Sequence, residues 1–76
     1  MVISGVLFET VAGKSTAVAS RLAKVHGIEV KGTDGDHKVA VVWRGKHGAA
    51  LLRAADHLLK SDPDILGIFP TFVGTE

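Results

Sequence analysis

The 76-residue chain contains no cysteine, and this absence removes two ways of stabilising a small domain. No disulfide can cross-link the chain, and no thiolate can bind a structural metal. A chain of this length buries only about 60–65% of its extended surface, so its core is thin. The fold must therefore depend on side-chain packing.

The chain also lacks an excess of charge of either sign and any long hydrophobic run. Nine basic side chains balance eight acidic ones, which argues against a nucleic-acid binder, and one Trp and three Phe offer few stacking surfaces. No run approaches the roughly 18 apolar residues that cross a bilayer. The apolar start lacks a basic region and reaches Glu9 too soon for a signal peptide. These features predict a cytoplasmic protein without membrane insertion.

Although long runs are absent, apolar residues make up 46% of the chain. The mean hydropathy is positive, at +0.28. A domain this small cannot bury every apolar side chain. We therefore expect an apolar surface that meets a partner.

The stretch FETVAGKSTAV, residues 8–18, contains half of a phosphate-binding loop. Such a loop needs two glycines separated by four residues and followed by Lys and Ser or Thr. Gly13, Lys14 and Ser15 match the second half, but Phe8 occupies the position of the first glycine. The stretch therefore predicts no nucleotide binding. Instead, Gly13 opens a turn, and Ser15 or Thr16 caps a helix.

Hydrophobic periodicity predicts six elements in the order βαββαβ. Strands are predicted at residues 2–9, 28–33, 38–43 and 65–73, and helices at residues 15–26 and 47–60. The buried stripe predicted for the second helix consists of Leu51, Leu52, Ala55, Leu58 and Leu59. This order is typical of the ferredoxin-like α+β fold, with a four-stranded antiparallel sheet in the order 4-1-3-2 and two helices on one face. Pro70 suits an edge strand, where the last strand lies. We expect a single domain over residues 1–76.

Alternation along the strands predicts which side chains face the helices. In the hairpin, Val39, Val41 and Trp43 face inward and Val42 faces outward. In the first strand, residues 3, 5 and 7 are assigned inward and Val6 and Phe8 outward. The first and last strands are apolar on both faces, which is unusual for a sheet covered on one side. A face-to-face homodimer or a merely apolar surface are the simplest explanations.

No residue pattern in the chain points to catalysis or to a metal. The four histidines do not pair at i,i+3 or i,i+4 spacing, as a helical metal site would require. The aspartates around Gly35 and Pro63 are typical of turns. We expect no catalytic residues, no metal and no cofactor, and hence no enzyme.

Three segments resemble the NapD family, the small chaperones of periplasmic nitrate reductase maturation. They are ISGVLFE near the start, LAKVHGIEVKGTDGDHKVAVVWRG in the middle and DILGIFPTFV near the end. The resemblance covers nearly the whole chain and consists of apolar residues and glycines. The chain departs from the family at His26, where Pro is frequent, and at Val73, where the family often has His after an aromatic residue.

The resemblance implies a ferredoxin-like chaperone that works in the cytoplasm. Its partner would be the twin-arginine signal peptide of a client molybdoenzyme, held until the cofactor is inserted. In that family the peptide binds as a helix against the sheet, and Glu9 would meet its arginines. The expected peptide-binding residues are Val6, Phe8, Glu9, Val42, Ile68 and Phe72. The alternative function is a regulatory ferredoxin-like module that dimerises, if weakly, through its sheet and binds a small ligand.

Overall fold

A computed structural model describes residues 1–75 of the chain. Residue 76, the last of the predicted domain, lies outside them. The elements are β1 (Val2–Thr10), α1 (Ser15–Leu22), β2 (Ile28–Thr33), β3 (Lys38–Gly45), α2 (Gly48–Ser61) and β4 (Ile65–Thr75). The four strands form one antiparallel sheet in the order β2-β3-β1-β4. This is the predicted ferredoxin-like α+β fold, and the predicted strand order is confirmed.

The turn between β2 and β3 is built around the carboxylate of Asp34. One of its oxygens accepts hydrogen bonds from the backbone N–H groups of Asp36, His37 and Lys38, each at 2.9 Å. These bonds, from Asp36 above all, lower the pKa of Asp34. Gly35 adopts a positive φ of 78°, which glycine takes without strain. The Asp34 carboxylate and the conformation of Gly35 therefore explain why the chain forms the predicted hairpin here.

The first helix is shorter than predicted, and it is capped differently. α1 ends at Leu22 rather than at residue 26, and a turn leads to Gly27, whose φ is +88°. Its N-terminal cap is Lys14, which makes no side-chain capping bond. Ser15 is fully buried, and its hydroxyl instead accepts a hydrogen bond from Thr33 at 2.9 Å. Capping by Ser15 or Thr16 was therefore a wrong prediction, because Ser15 bonds to the neighbouring strand.

The core lies between the two helices and one face of the sheet. Its most deeply buried apolar side chains are Phe8, Val18, Leu22 and Val39. The rings of Phe8 and Trp43 lie 6.2 Å apart, a distance typical of favourable aromatic pairs. α1 supplies two of the four deepest side chains, so it is the more firmly held helix.

The second helix packs less closely than its apolar stripe predicted. Within Gly48–Ser61, every residue keeps part of its surface exposed to solvent. Leu51, Ala55 and Leu58 contact the core at helical spacing. By contrast, Leu52 is 75% exposed and Leu59 is 42% exposed. Their predicted place in the buried stripe was wrong, because only a narrow arc of α2 reaches the sheet.

The facing of β1 is the opposite of the predicted one. Phe8 lies opposite Val39, and Val6 lies opposite Val41, so both share the buried face of β3. The odd-numbered residues of β1 must therefore point away from the helices. Both sets of residues are apolar, so the pattern of β1 alone could not distinguish the two faces.

The last strand forms an edge of the sheet, as Pro70 predicted. Its pairing with β1 slips twice, and the extra residues are Leu66 and Thr71. Such bulges change which face the following residues occupy. They place Ile68 opposite Phe8 on the helix side and Phe72 opposite Gly5 on the other side.

Candidate docking surface on the open face of the sheet

The face of the sheet that carries no helix is called the open face here. Strand register and alternation assign large apolar side chains to it from three strands. Leu7 of β1 lies between Ala40 of β3 and Phe69 of β4. The apolar centre of the open face consists of Ile3, Leu7, Ala40, Val42, Phe69 and Phe72.

The aromatic residues of the open face are well exposed. Phe69 is 52% exposed and Phe72 is 54% exposed, whereas Ile3, Leu7 and Val42 are half-buried by their neighbours. Scattered apolar residues are normal on a protein surface, but a contiguous patch usually meets a partner. Here the exposed rings adjoin half-buried aliphatic side chains along the same rows of the sheet.

Two glycines leave room for the aromatic rings of the open face. The ring of Phe72 covers Gly5 so closely that a methyl group at residue 5 would collide with it. The ring of Phe69 covers Gly67, where an added Cβ would lie 2.8 Å from its Cε2 atom. Glycine is suited to such close approach because it has no side chain. The rings therefore fill the space beside the two glycines and, with the aliphatic side chains around them, form an apolar platform.

Charged side chains border the platform at opposite ends. At one end Glu29 forms ion pairs with Lys31 and, at 3.8 Å, with Arg44. The hydrogen bond from Lys31 is the main reason that the pKa of Glu29 lies below its usual value. At the other end Glu9 of β1 lies opposite Lys38 of β3. The border therefore carries both signs of charge.

The structure divides the six predicted peptide-binding residues into two groups. Val42 and Phe72 lie on the open face, and Glu9 lies at its end. Val6 and Phe8, in contrast, are 7% and 0% exposed beneath the helices, so their predicted outward placement was wrong.

The sixth residue, Ile68, packs against the core from the helix side and is also wrongly placed. Sequence reasoning missed Leu7 because it assigned the wrong facing to β1, and it missed Phe69 because the bulges of β4 change the alternation of that strand. The apolar character of both faces was the only signal that could have drawn attention to them.

The half phosphate-binding loop has its backbone donors already engaged. Gly13 N–H donates to the Asp36 carboxylate at 2.8 Å and to the Asp36 carbonyl at 3.0 Å. Ser15 N–H also donates to that carbonyl, at 3.1 Å. Phosphate loops work by presenting such N–H groups to an anion. Here a carboxylate of the hairpin already occupies the place of the anion.

Two of the four histidines contact neighbouring groups of the fold. His47 Nδ1 accepts the Ala50 N–H at 3.1 Å and so caps α2, and His37 lies 3.2 Å from an Asp36 carboxylate oxygen. Among residues 1–75 there is no group of three His, Cys, Asp or Glu side chains that could hold a metal ion. In the same part of the chain, no helix has the length and apolar character needed to cross a membrane.

Comparison with protein-family models, with curated proteins and with solved structures finds no significant match to this chain. Its function must therefore be inferred from the open face and from the segments described above.

Proposed function

We propose that the protein is a cytoplasmic chaperone that binds the twin-arginine signal peptide of a client molybdoenzyme and delays its export. The resemblance of its segments to the NapD family suggests this function. The observation that carries the proposal is the open face, an apolar platform of half-exposed aromatic and aliphatic side chains. A signal peptide has an apolar segment next to its arginines. The apolar platform would contact that segment, and the charged border would contact the arginines.

Binding would use the mode in which an amphipathic helix lays its apolar side on an apolar surface. Phe69 and Phe72 are the expected anchors, since each still exposes about half of its side-chain surface. Complete burial of such a side chain contributes about 1.5–3 kcal/mol, and half of this remains available here. The two anchors and the aliphatic centre supply apolar contact for a reversible complex. Part of that binding free energy is lost because the peptide and the interface side chains become ordered.

The arginines of the peptide would lie at the Glu9 end of the open face. Glu29, at the other end, is already engaged by Lys31 and Arg44. A guanidinium pairs well with a carboxylate, and at an exposed border such a pair contributes at most about 1 kcal/mol. The arginines would thus set the orientation of the peptide, and the apolar segment would supply most of the affinity.

The test is a titration of a labelled twin-arginine peptide against wild type and Val42→Asp. Val42 lies near the middle of the open face, so a carboxylate there must lose water when an apolar helix docks. We expect at least about tenfold weaker binding, equivalent to about 1.4 kcal/mol, with a thermal midpoint within a few degrees of wild type. Val73→Asp is the matched control, because Val73 is 69% exposed and lies opposite Ser4 on the helix side.

Each result of this titration has a definite meaning. Selective loss in Val42→Asp supports both the function and the surface. Equal binding by all three proteins would contradict the open face as the docking site. If wild type binds no twin-arginine peptide from any molybdoenzyme of its organism, the chaperone function itself is wrong.

The second candidate is the regulatory module that dimerises through the open face. The mixed charges of the border favour it, because a two-fold related copy could pair Glu9 of one protomer with Lys38 of the other. A mass measurement across micromolar concentrations separates the two functions. A monomer throughout this range favours the chaperone, and a dimer that Val42→Asp dissociates favours the module.

A further inference from the structure

A second apolar feature lies on the other side of the sheet, between α2 and strands β1 and β4. It is a cavity of about 230 Å³, partly open to solvent. We call it the helix cavity. Trp43 and Ile68 form part of its floor, and Leu51 and Ala55 form part of its roof. It is separate from the open face, because the sheet lies between them.

Two small residues of α2 leave part of this space unfilled. Ala55 lines it from the helix, where a leucine would extend into the space, and Gly48 lines it at the start of α2. No residue of Gly48–Ser61 is fully buried, as expected for a helix that stands off from its sheet. Protein interiors are normally packed with few voids larger than a water molecule. A space of this size is therefore a feature that requires an explanation.

The lining of the cavity selects against water and against charged ligands. Among the described residues 1–75, those that line it carry no charge. The one hydroxyl group that lines it, that of Ser4, already donates to the Phe72 carbonyl at 3.0 Å. A buried water needs two to four polar partners, whereas apolar cavities of about 150 Å³ stay dry and bind benzene. The helix cavity is larger than that and has the same chemical character.

We propose that the helix cavity binds a small uncharged apolar molecule, about the size of one aromatic ring bearing a short alkyl group. The ring would contact Trp43 and Ile68, and the alkyl group would point to the mouth. Leu52 and Val73, two of the most exposed apolar residues in the chain, line the cavity and would close over the ligand. This site does not depend on the proposed chaperone function.

Toluene is the probe for this site, and Trp43 is the reporter. Trp43 is the only tryptophan in the chain and it lines the cavity, so its emission reports directly on occupation. We expect a saturable change in emission and a thermal midpoint that rises with toluene concentration. In wild type, the methyl NMR signals of Leu51 and Ala55 should shift, while those of Leu7 on the open face stay in place. Benzoate should bind at least tenfold more weakly than toluene, since its charge would be desolvated.

Two alanine variants of α2 provide the matched comparison. Ala55→Leu fills the cavity and should weaken toluene binding at least tenfold, whereas Ala49→Leu lies on the exposed side and should leave it unchanged. The absence of saturable binding to wild type would overturn the proposal. So would equal binding by Ala55→Leu, or shifts confined to the open face. The wild-type NMR map decides the matter even if Ala55→Leu does not fold.

Discussion

Replacing Leu22 by alanine is expected to cost about 3 kcal/mol of unfolding free energy. Leu22 is 1% exposed and belongs to the core cluster. Truncation of a fully buried leucine costs about 2–5 kcal/mol, because the lost transfer energy is joined by the energy of the cavity left behind. α1 has only 8 residues, and Leu22 and Val18 are its two deeply buried apolar side chains.

Two leucines of α2, which differ from Leu22 in exposure, provide comparisons for this prediction. Leu58 is half-buried, so its truncation should cost about 1–2 kcal/mol, below the range for full burial. Leu52 is 75% exposed, and its truncation should change stability by at most about 0.5 kcal/mol. The same chemical change at three positions should therefore give a graded series.

The assay is urea denaturation followed by Trp43 fluorescence, with the slope of each transition compared across the series. A chain of 76 residues has a total stability of roughly 4–11 kcal/mol, so a loss of about 3 kcal/mol removes a large share of it. The reasoning would be refuted by a loss below about 1 kcal/mol for Leu22→Ala. A loss for Leu52→Ala as large as that for Leu22→Ala would refute it equally, since it would mean that α2 is rotated from its described position.

Three further predictions test other parts of the structure. Calorimetry with ATP or GTP and magnesium should give no heat of binding, because the Asp36 carboxylate already accepts the Gly13 N–H. Saturable nucleotide binding that disappears in Lys14→Ala would contradict this prediction. The hydrogen bond from the Asp36 N–H is the chief reason that the pKa of Asp34 is lowered. The ionised carboxylate therefore stabilises the fold above the unfolded pKa of about 3.9, and this contribution is lost as the pH falls through the lowered folded-state pKa. The difference in thermal midpoint between wild type and Asp34→Asn should therefore shrink below about pH 4, and a difference independent of pH would argue against the carboxylate. Gly5→Ala should lose about 1–3 kcal/mol of stability through its collision with the Phe72 ring and the Thr71 hydroxyl, as in other overpacked sites, whereas an alanine at Gly32 meets no atom within 4 Å. Equal denaturation midpoints for the two variants would show that both neighbouring side chains move aside freely.

The fold was predictable from the sequence because the turn residues and the hydrophobic periodicity both indicate the same βαββαβ order. The Asp34 turn fixes the hairpin, and β3 alternates between apolar and mixed residues along its length. Helix ends were less predictable. Val25 continues the apolar spacing of α1, yet the helix stops at Leu22, and Val25 N–H bonds to the Leu22 carbonyl in a tighter turn. The chain must turn there, because β2 begins at Ile28.

The docking surface was predictable as a property of the sheet but not as a set of residues. An apolar second face followed from the composition of the first and last strands. The residues on it depended on β1, in which odd and even positions are similarly apolar. In β4, the bulges at Leu66 and Thr71 change the alternation. Gly67 and Pro70 adjoin them, but neither residue type fixes the position of a bulge by itself. Ile68 and Phe72 were both predicted to bind the peptide, but the bulge between them leaves only Phe72 on the open face.

Pairing with β3 decides which side chains of β1 lie beneath the helices. The choice of residues for testing the open face depends on this pairing. A slip of one residue against β3 would bring Gly5 and Leu7 beneath the helices and expose Phe8. The observed register instead buries Phe8 against Trp43 and leaves Gly5 where the Phe72 ring can cover it. Phe8→Ala would therefore remove about 3–5 kcal/mol from the core, and any loss of peptide binding would report unfolding. A charge at Val42 tests the open face itself, because that side chain points away from the core that holds the fold together.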